Sequence, residues 1–460
     1  MDSRTTSHAL SAWVDPEAAY VALFAESSHS FWLDSGPNAS TGYSYLGDGT
    51  HILTASVDDG TVTRTTDRGA QITAGTLFDA LAKLVAPASD STLSSGEFVP
   101  GWVGWIGYEV GAAQNGTPRH TSRYPDAAFL QPERMLVFDH AQHTVTAVAT
   151  GPSATGNDDF AWLDALHPEK PLPPTPHPTT RAPARWRHDR AAYATLIARA
   201  QEQIRAGNAY QLCVTNEVLV DGNFDPVDVY RRLRHASPSH HGGLLRFDDV
   251  ALVSSSPEQF LRITPDRVVT TRPIKGTRPR GIDSTTDATQ RLDLLASEKE
   301  RAENLMIVDL MRNDLGRVAE LGSVRVTELL AVESYAQVHQ LVSTVTARLA
   351  DGYTPVDAVA AAFPAGSMTG APKISAMSIL DELEDGPRGV YAGAFGYFGA
   401  DGAVDLAMVI RSILIDTTGA ALGTGGGITT LSVVEEEIDE THLKAAALLD
   451  ALGVREQEVG

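Results

Sequence analysis

A proline-dense segment, HPEKPLPPTPHPTTRAPAR at residues 167–185, restricts the fold of this chain more than any other sequence feature. Proline lacks a backbone N–H and has a fixed φ, so such a segment is extended rather than helical. We therefore expect a linker at residues 167–186, between an N-terminal region of residues 1–166 and a second domain of residues 187–460. A long surface loop within one domain is the alternative, and the sequence does not decide between the two.

The region before the linker has the pattern of a β-rich structure. FWLD, beginning at Phe31, and YSYL, beginning at Tyr43, are typical of short strands separated by a Gly/Pro/Asn turn. The run MLVFDHAQHTVTAVA at residues 135–149 predicts a hairpin that turns around Asp139 and His140.

Beyond the linker, helical and strand patterns alternate. A helix that Gly207 ends is predicted by the apolar positions Tyr193, Leu196, Ile197, Ala200 and Ile204. A strand follows at residues 209–220. We expect a long helix at residues 285–315, closed by Gly316. A last helix at residues 433–452 is closed by Gly453, and Ser432 and Glu435 have the spacing of a capping box.

The composition excludes several classes of partner. The 460 residues carry a formal net charge of −22, which argues against nucleic acids and anionic membranes, since both bind basic surfaces. No apolar run approaches the roughly 18 residues of a membrane span, and the opening MDSRTTSHALSAW lacks a signal-peptide core. Cys213 is the single cysteine, so no internal disulfide forms, and we expect a cytoplasmic protein.

The segment RPIKGT at residues 272–277 contains a candidate nucleophile. Lys275 lies between apolar Ile274 and Gly276, a position suited to losing water, and Gly276 allows the backbone to approach a ligand closely. Only the neutral amine is a nucleophile, and burial can lower a lysine pKa by as much as ~3–5. The sequence therefore predicts either a reactive amine or an ordinary lysine in a polar turn.

Two predicted helices each present a pair of glutamates three residues apart, so that both members face the same way. The pairs are Glu300 with Glu303 and Glu437 with Glu440, and Lys444 follows the second pair. Mg²⁺ favours carboxylate oxygens completed by water and an anionic ligand, so these pairs are candidate ligands of one Mg²⁺. A solvated acidic face is the alternative for either pair alone.

A glycine run, GTGGGI at residues 423–428, precedes the second pair and strengthens the metal interpretation. Glycine loops expose backbone N–H groups that bind anions. A ligand carboxylate held by Mg²⁺ and by these amides accounts for both features.

Three further side chains are candidates for the same site. Glu258 follows the predicted strand VALVSSS at a proline turn, where a partly buried carboxyl can stay protonated and donate to a leaving hydroxyl. His339 is either a hydrogen-bonded core histidine or a catalyst. Arg411 lies inside the apolar strand LAMVIRSILI, where a buried charge needs a partner such as a ligand carboxylate.

Together these residues lie in ordered motifs that resemble those of the chorismate-utilising enzymes. The motifs are SPE (256–258), RPIKGTRPRG (272–281), ERAENLMIVDLMRNDLGRV (300–318), VHQLVSTV (338–345), GSMTGAPK (366–373), YAGAFGY (391–397), IRS (410–412), GGGIT (425–429) and EIDETHLK (437–444). They span roughly residues 190–450, and the N-terminal part is similar more loosely, through FWLDSG, YSYLG and GWVGWIGYEVG. The resemblance implies an α+β fold, a large antiparallel-sheet sandwich flanked by helices.

Within this family the chain most resembles the aminodeoxychorismate synthase component I branch, and anthranilate synthase component I is the near relative. The first branch typically has lysine at the position of Lys275, whereas anthranilate synthases typically have alanine. Gln211 is a second difference, since members that add water have a lysine base there. The resemblance therefore implies that ammonia, rather than water, is the second nucleophile.

The resemblance also implies roles in catalysis. Lys275 attacks C2 of chorismate, Glu258 protonates the departing 4-hydroxyl, and His339 helps the leaving group or orients the ring. Ammonia then adds at C4 and displaces the lysine, which gives 4-amino-4-deoxychorismate. The implied Mg²⁺ ligands are Glu303 and Glu440, supported through water by Glu300 and Glu437. Substrate contacts are implied for Gln211, Gly276, Thr277, Ser367, Thr369, Tyr391, Arg411, Gly425, Gly427 and Lys444.

The resemblance raises the question of where the ammonia comes from. Glutamine amidotransferase domains of the usual partner type use a cysteine nucleophile on a strand-to-helix turn. Cys213 lies within a predicted strand, in QLCVT, without a glycine turn. We therefore expect a separate glutamine amidotransferase subunit and an ammonia passage between the two proteins.

Two other functions stay open. The first is anthranilate synthase, against which Lys275 argues. The second is a family member that binds chorismate and Mg²⁺ without converting chorismate. The presence of Glu258, Glu303 and Glu440 argues against that second function.

Overall fold

The structure is a computed structural model that describes residues 4–85, 98–151, 157–166, 172, 174–175, 183–335 and 338–454. Its helices are α1 Pro16–Leu23, α2 Leu77–Leu84, α3 Tyr108–Gln114, α4 Arg190–Arg205, α5 Pro226–Ala236, α6 Ser284–Ala296, α7 Glu298–Gly316, α8 Pro355–Ala362, α9 Lys373–Glu384 and α10 Val434–Leu452, with 3₁₀ helices at Asn157–Ala165 and Gly366–Met368. Within the described ranges, none of these helices combines the length and the apolar character needed to cross a bilayer.

The strands are short and numerous. They are β1 Arg4–Ala9, β2 His29–Asp34, β3 Tyr43–Asp48, β4 His51–Ser56, β5 Thr61–Thr66, β6 Gly69–Ala74, β7 Trp102–Ile106, β8 Ala127–Gln131, β9 Arg134–Asp139, β10 Thr144–Gly151, β11 Ala184–Trp186, β12 Gln211–Asp221, β13 His241–Phe247, β14 Val250–Ser256, β15 Gln259–Ile263, β16 Val268–Thr271, β17 Ile274–Pro279, β18 Arg325–Ser334, β19 Val338–Arg348, β20 Gly370–Ala371, β21 Ala394–Phe398, β22 Val404–Met408, β23 Ser412–Asp416 and β24 Gly419–Ile428.

These strands form two large antiparallel sheets. The first sheet has the order β1-β10-β9-β3-β2-β13-β14-β23-β24-β12-β11, and β20 also pairs with β12. The second sheet has the order β17-β19-β16-β15-β22-β21-β7-β8-β4-β5-β6, and β18 also pairs with β19. The expected α+β sandwich of antiparallel sheets with flanking helices is therefore confirmed.

Large apolar side chains hold the two sheets face to face. Phe31 and Leu245 of the first sheet belong to one buried cluster with Trp105 and Phe395 of the second. The ring of Trp105 meets Phe247 edge-on, with the ring centroids 4.7 Å apart, an arrangement that aromatic pairs favour. Helices α5 and α10 pack with the first sheet, and α7 and α8 pack with the second.

Both sheets contain strands from either side of the predicted linker. β2 pairs with β13 in the first sheet, and β7 pairs with β21 in the second. Most of residues 167–186 lies outside the described residues, so the linker and the division into residues 1–166 and 187–460 stay predictions. The last part of the segment forms β11, which pairs with β12.

Several local predictions are confirmed. The segments FWLD and YSYL lie in the paired strands β2 and β3, and residues 135–149 fall in the β9–β10 hairpin. Helix α4 buries the predicted apolar face, and Gly207 after it has a φ of +83°.

The single helix predicted for residues 285–315 is wrong. The segment forms α6 and α7, which meet at Ser297. The hydroxyl of Ser297 accepts a hydrogen bond from the Glu300 N–H, 3.4 Å away, so this serine begins a new helix. The break matters for the site because it sets the direction in which α7 presents Glu300 and Glu303.

The last helix has the predicted length but not the predicted cap. Val433 is the N-cap of α10, and the Ser432 hydroxyl instead accepts from the Thr429 N–H at 3.1 Å. Gly453 ends the helix with a φ of +78°, as expected. Leu443 on this helix is exposed, whereas Ile438 and Leu449 are buried.

Candidate active site

Lys275 lies on β17 at an edge of the second sheet, where a bulge interrupts the ladder. Relative to β19, β17 carries one extra residue between Ile274 and Thr277. A bulge re-aims the side chains beside it, and Gly276 takes the left-handed φ of +83° that permits this one. The Lys275 side chain is 14% exposed, and its Nζ lies 3.9 Å from Glu303 Oε2.

The lowered pKa that a reactive Lys275 would have is not found. Burial does act in that direction, but the surrounding negative charges, led by Glu303 and joined by Glu258, outweigh it and raise the pKa above its ordinary value. Lys275 therefore holds its proton until a neighbouring group removes it.

Glu258 lies in the turn after β14 and is buried. Its Oε1 accepts a hydrogen bond from the Ser367 hydroxyl at 3.2 Å, and the carboxyl also accepts from the Ile274 N–H. Burial raises the pKa of Glu258 to about 7, against the opposing charge of Lys275. Near neutral pH about half of this carboxyl is protonated, which is the state that a general acid requires.

The second predicted glutamate pair, on α10, contacts two lysines. Glu437 is buried, and its Oε1 lies 2.9 Å from Lys299 Nζ. Glu440 is half exposed, and its Oε1 lies 2.6 Å from Lys444 Nζ. Among the described residues, no three His, Cys, Asp or Glu side chains are gathered closely enough to form a metal centre.

The donor chemistry nevertheless fits a hard divalent cation. Glu303 is buried, and its Oε1 has no hydrogen-bond partner among the described residues. A buried carboxylate oxygen without a partner is costly, so its position calls for a cation or a donor. Glu300, Glu437 and Glu440 also offer carboxylate oxygens, the ligands that Mg²⁺ prefers.

The glycine run at residues 423–428 is a strand rather than the expected loop. It forms the second half of β24, beyond the part that pairs with β23, which ends at Leu422. Lys444 Nζ donates to the Gly425 carbonyl at 2.8 Å on this uncovered edge. Since N–H and C=O of one strand residue point to the same edge, the amides of Gly425 and Gly427 face the same space.

Arg411 does not lie inside one apolar strand. It lies between β22 of the second sheet and β23 of the first, with a φ of +51° that is uncommon for a non-glycine residue. Its Nη1 donates to the Lys444 carbonyl at 3.4 Å, and burial lowers its pKa. Tyr391 is buried with its ring against Gly423.

Gln211 begins β12 and faces the same space as Lys275. A Cβ on Gly427 would lie 2.2 Å from Gln211 Nε2 and 3.4 Å from Lys275 Nζ, so the three residues converge. Gln211 is 1% exposed, and its Oε1 has no partner in the described part of the chain. This oxygen can accept a hydrogen bond from a ligand.

Two predicted residues are hydrogen-bonded to other groups, and a third is exposed. His339 Nδ1 lies 2.8 Å from the Ser334 hydroxyl, and its Nε2 lies 3.0 Å from Asp287 on α6. The Thr369 hydroxyl donates to a backbone carbonyl in its own turn at 3.3 Å. Thr277 is exposed on β17. The suggested roles of these residues stay predictions.

The sequence did not single out Lys299, the residue directly before Glu300. Burial acts to lower the pKa of Lys299, but the hydrogen bond that Lys299 donates to Glu437 and the charges of Glu437, Glu303 and Glu440 raise it. The one available signal was its helical spacing to Glu303, four residues on, which is typical of an ion pair. That spacing gave no hint of the contact with α10.

The sequence of this chain is similar to those of known proteins. Residues 28–450 match the chorismate binding enzyme family. The aminodeoxychorismate synthase of Streptomyces griseus is 44% identical over 457 residues, which cover 95% of this chain and 63% of that protein. The chain thus spans less than two thirds of that relative. Anthranilate synthase component 1 of Thermus thermophilus is 43% identical over 334 residues, 72% of each chain.

Solved structures show the same fold. Anthranilate synthase component I from Streptococcus pneumoniae superposes with a TM-score of 0.77 at 30% identity, covering 89% of this chain and 93% of that one. The isochorismate synthase MenF from Escherichia coli superposes with a TM-score of 0.74 over 98% of this chain and 95% of its own, at 18% identity, and supports the fold alone.

Proposed function

Because this chain belongs to the chorismate binding enzyme family, we propose that it converts chorismate and ammonia to 4-amino-4-deoxychorismate. The Streptomyces griseus relative with that synthase name supports the proposal. The observation that carries it is Lys275, a largely buried amine whose charge interacts with both Glu258 and Glu303.

The first step is a proton transfer within the site. Lys275 is an ammonium at neutral pH, and about half of Glu258 is ionised there. Transfer of the lysine proton to Glu258 gives a neutral amine and a protonated carboxyl, with no change in net charge. One transfer therefore prepares both the nucleophile and the acid.

The chemistry then proceeds in two displacements. The Lys275 amine bonds to C2, the two ring double bonds shift, and the C4–O bond breaks as Glu258 gives its proton to the departing hydroxyl, which leaves as water. Ammonia adds at C4, the double bonds shift back, and the C2–N bond to Lys275 breaks. The product ammonium returns a proton to the site. The net reaction consumes chorismate and ammonia and releases the amine and water.

Mg²⁺ is the cofactor in this proposal, with Glu303 and Glu440 as its ligands and Glu300 and Glu437 supporting them through water. When bound, it neutralises a substrate carboxylate and fixes the ring. The uncovered edge of β24 and Arg411 supply donors for the second carboxylate. Substrate thus lies between β17 and β24, within reach of Lys275.

Ammonia reaches this site from a separate glutamine amidotransferase subunit in our proposal. Cys213 is buried within β12, so it offers no exposed thiol for glutamine hydrolysis. A cavity of about 280 Å³ between β12 and residues 121–124 borders Tyr391 and Gly423 and supports a passage to the site. Purified chain that used glutamine as efficiently as ammonium would contradict this part.

Anthranilate synthase is the second candidate, favoured by the Thermus thermophilus relative at 43% identity. The two functions are separated by incubating the chain with chorismate, Mg²⁺ and ammonium at high pH and identifying products by chromatography and mass spectrometry. We expect 4-amino-4-deoxychorismate. Anthranilate with pyruvate as the main product, detected by fluorescence, would refute the proposal.

A further inference from the structure

Lys299 places a positive charge among the carboxylates that we propose as metal ligands. Its Nζ lies 2.9 Å from Glu437 Oε1 on α10, and Glu300 follows Lys299 directly on α7. Lys299 is 36% exposed whereas Glu437 is 3% exposed, so the pair joins a partly exposed side chain to a buried carboxylate. This ion pair therefore joins the two helices that carry the proposed metal ligands.

An ammonium and a divalent cation compete for the same carboxylate oxygens. Contact with Lys299 partly neutralises the Glu437 carboxylate. A divalent cation that approaches Glu303 and Glu440 is also repelled by the positive charge of Lys299. Lys299 is free to leave because it is a flexible, partly exposed side chain at the start of α7. The buried Glu437 would otherwise be an uncompensated charge.

We propose that Lys299 is a cation placeholder that Mg²⁺ must displace, and that it sets the Mg²⁺ affinity of the site. The inference rests on the proposed function for the identity of the cation. Lys299 thereby keeps Glu437 paired when Mg²⁺ is scarce and makes metal binding an exchange of one positive charge for another. It is a positioning residue and does not touch the reacting atoms.

The test is isothermal titration of the full-length chain with MgCl₂ after treatment with EDTA and dialysis. Lys299→Met removes the charge and keeps the length of the side chain, and Lys299→Gln is a second variant that retains a polar end. Lys299→Arg retains the charge. Lys83→Met changes an exposed lysine on α2 and serves as the matched control.

We expect Lys299→Met and Lys299→Gln to bind Mg²⁺ with a Kd at least about tenfold lower than the original chain, as loss of an adjacent positive charge requires. Lys299→Arg and Lys83→Met should stay within about threefold. In EDTA, Lys299→Met should melt at a lower temperature than the original chain, and saturating Mg²⁺ should remove the difference.

Unchanged or weaker Mg²⁺ binding in both neutral variants would overturn the placeholder role and leave the proposed function intact. Absence of Mg²⁺ binding in every protein, including the original chain with chorismate present, would instead refute the metal part of the proposed function, and the placeholder role with it.

Discussion

Replacing Glu258 by glutamine should stabilise the fold while it removes catalysis, and the gain should depend on pH. Burial raises the pKa of Glu258 from an ordinary 4.5 to about 7. The folded protein thus binds this proton more tightly than the unfolded chain does. The stability that this proton contributes is fully present below pH 4.5 and is lost as the pH rises to about 7. A pKa difference of about 2.5 corresponds to a loss of about 3 kcal/mol.

Glutamine has a similar shape and no ionisation, so Glu258→Gln escapes this loss. Relative to the original chain, we expect a gain of about 3 kcal/mol in the free energy of unfolding at pH 8 and less than about 1 kcal/mol at pH 5. Urea unfolding at the two pH values measures the difference. Ammonium-dependent turnover should fall by roughly 10²–10⁴, since this variant lacks the proposed general acid.

Glu109 provides the matched control. It is also buried, its pKa is also raised to about 7 by burial, and it lies at the start of α3, where its Oε1 accepts from the Arg388 N–H. Glu109→Gln should show the same pH-dependent gain in stability but keep its turnover. A stability difference between Glu258→Gln and the original chain that is equal at pH 5 and pH 8 would refute the reasoning.

Three other substitutions test single contacts of the site. Lys275→Ala should form no covalent adduct with chorismate by mass spectrometry and should lose turnover; an adduct elsewhere with unchanged rate would exclude Lys275 as the nucleophile. Gly276→Ala should cost about 1–3 kcal/mol by thermal unfolding and weaken Mg²⁺ binding, since its Cβ would lie 2.8 Å from Leu294 and 2.9 Å from the Glu300 carboxyl carbon. Gly427→Ala should lower kcat/KM without changing the circular dichroism spectrum, because the new methyl displaces Gln211; normal kinetics would show that Gln211 is not held at the substrate.

The sequence was sufficient wherever local pattern decides structure. The apolar spacing that begins at Tyr193 predicts α4, and the helix buries that face. Ser297 shows the limit of prediction from apolar spacing. A serine at this position is compatible with a continuous helix, and only the structure shows that its hydroxyl caps α7. Two helices in place of one cannot be inferred from apolar periodicity when both continue the same pattern.

Other features depend on contacts between residues that are distant in the sequence, which a local pattern does not predict. The run LAMVIRSILI is apolar apart from Arg411 and Ser412, which predicts one buried strand, yet β22 and β23 belong to different sheets. The sign of the pKa change at Lys275 is a second example. Ile274 and Gly276 indicate burial, but Glu258 and Glu303 reach the amine only through folding, and their charges reverse the effect.

The crossing at Arg411 explains why the site lies where it does. β17 carries Lys275 in the second sheet, whereas β24 carries the glycine edge in the first, so the proposed nucleophile and the predicted anion-binding amides belong to different layers. Residues 409–411 join those layers, and the left-handed φ of Arg411 allows the chain to change sheets while its guanidinium reaches the Lys444 carbonyl. A strained residue that also supplies a candidate substrate contact ties substrate binding to the alignment of the two sheets.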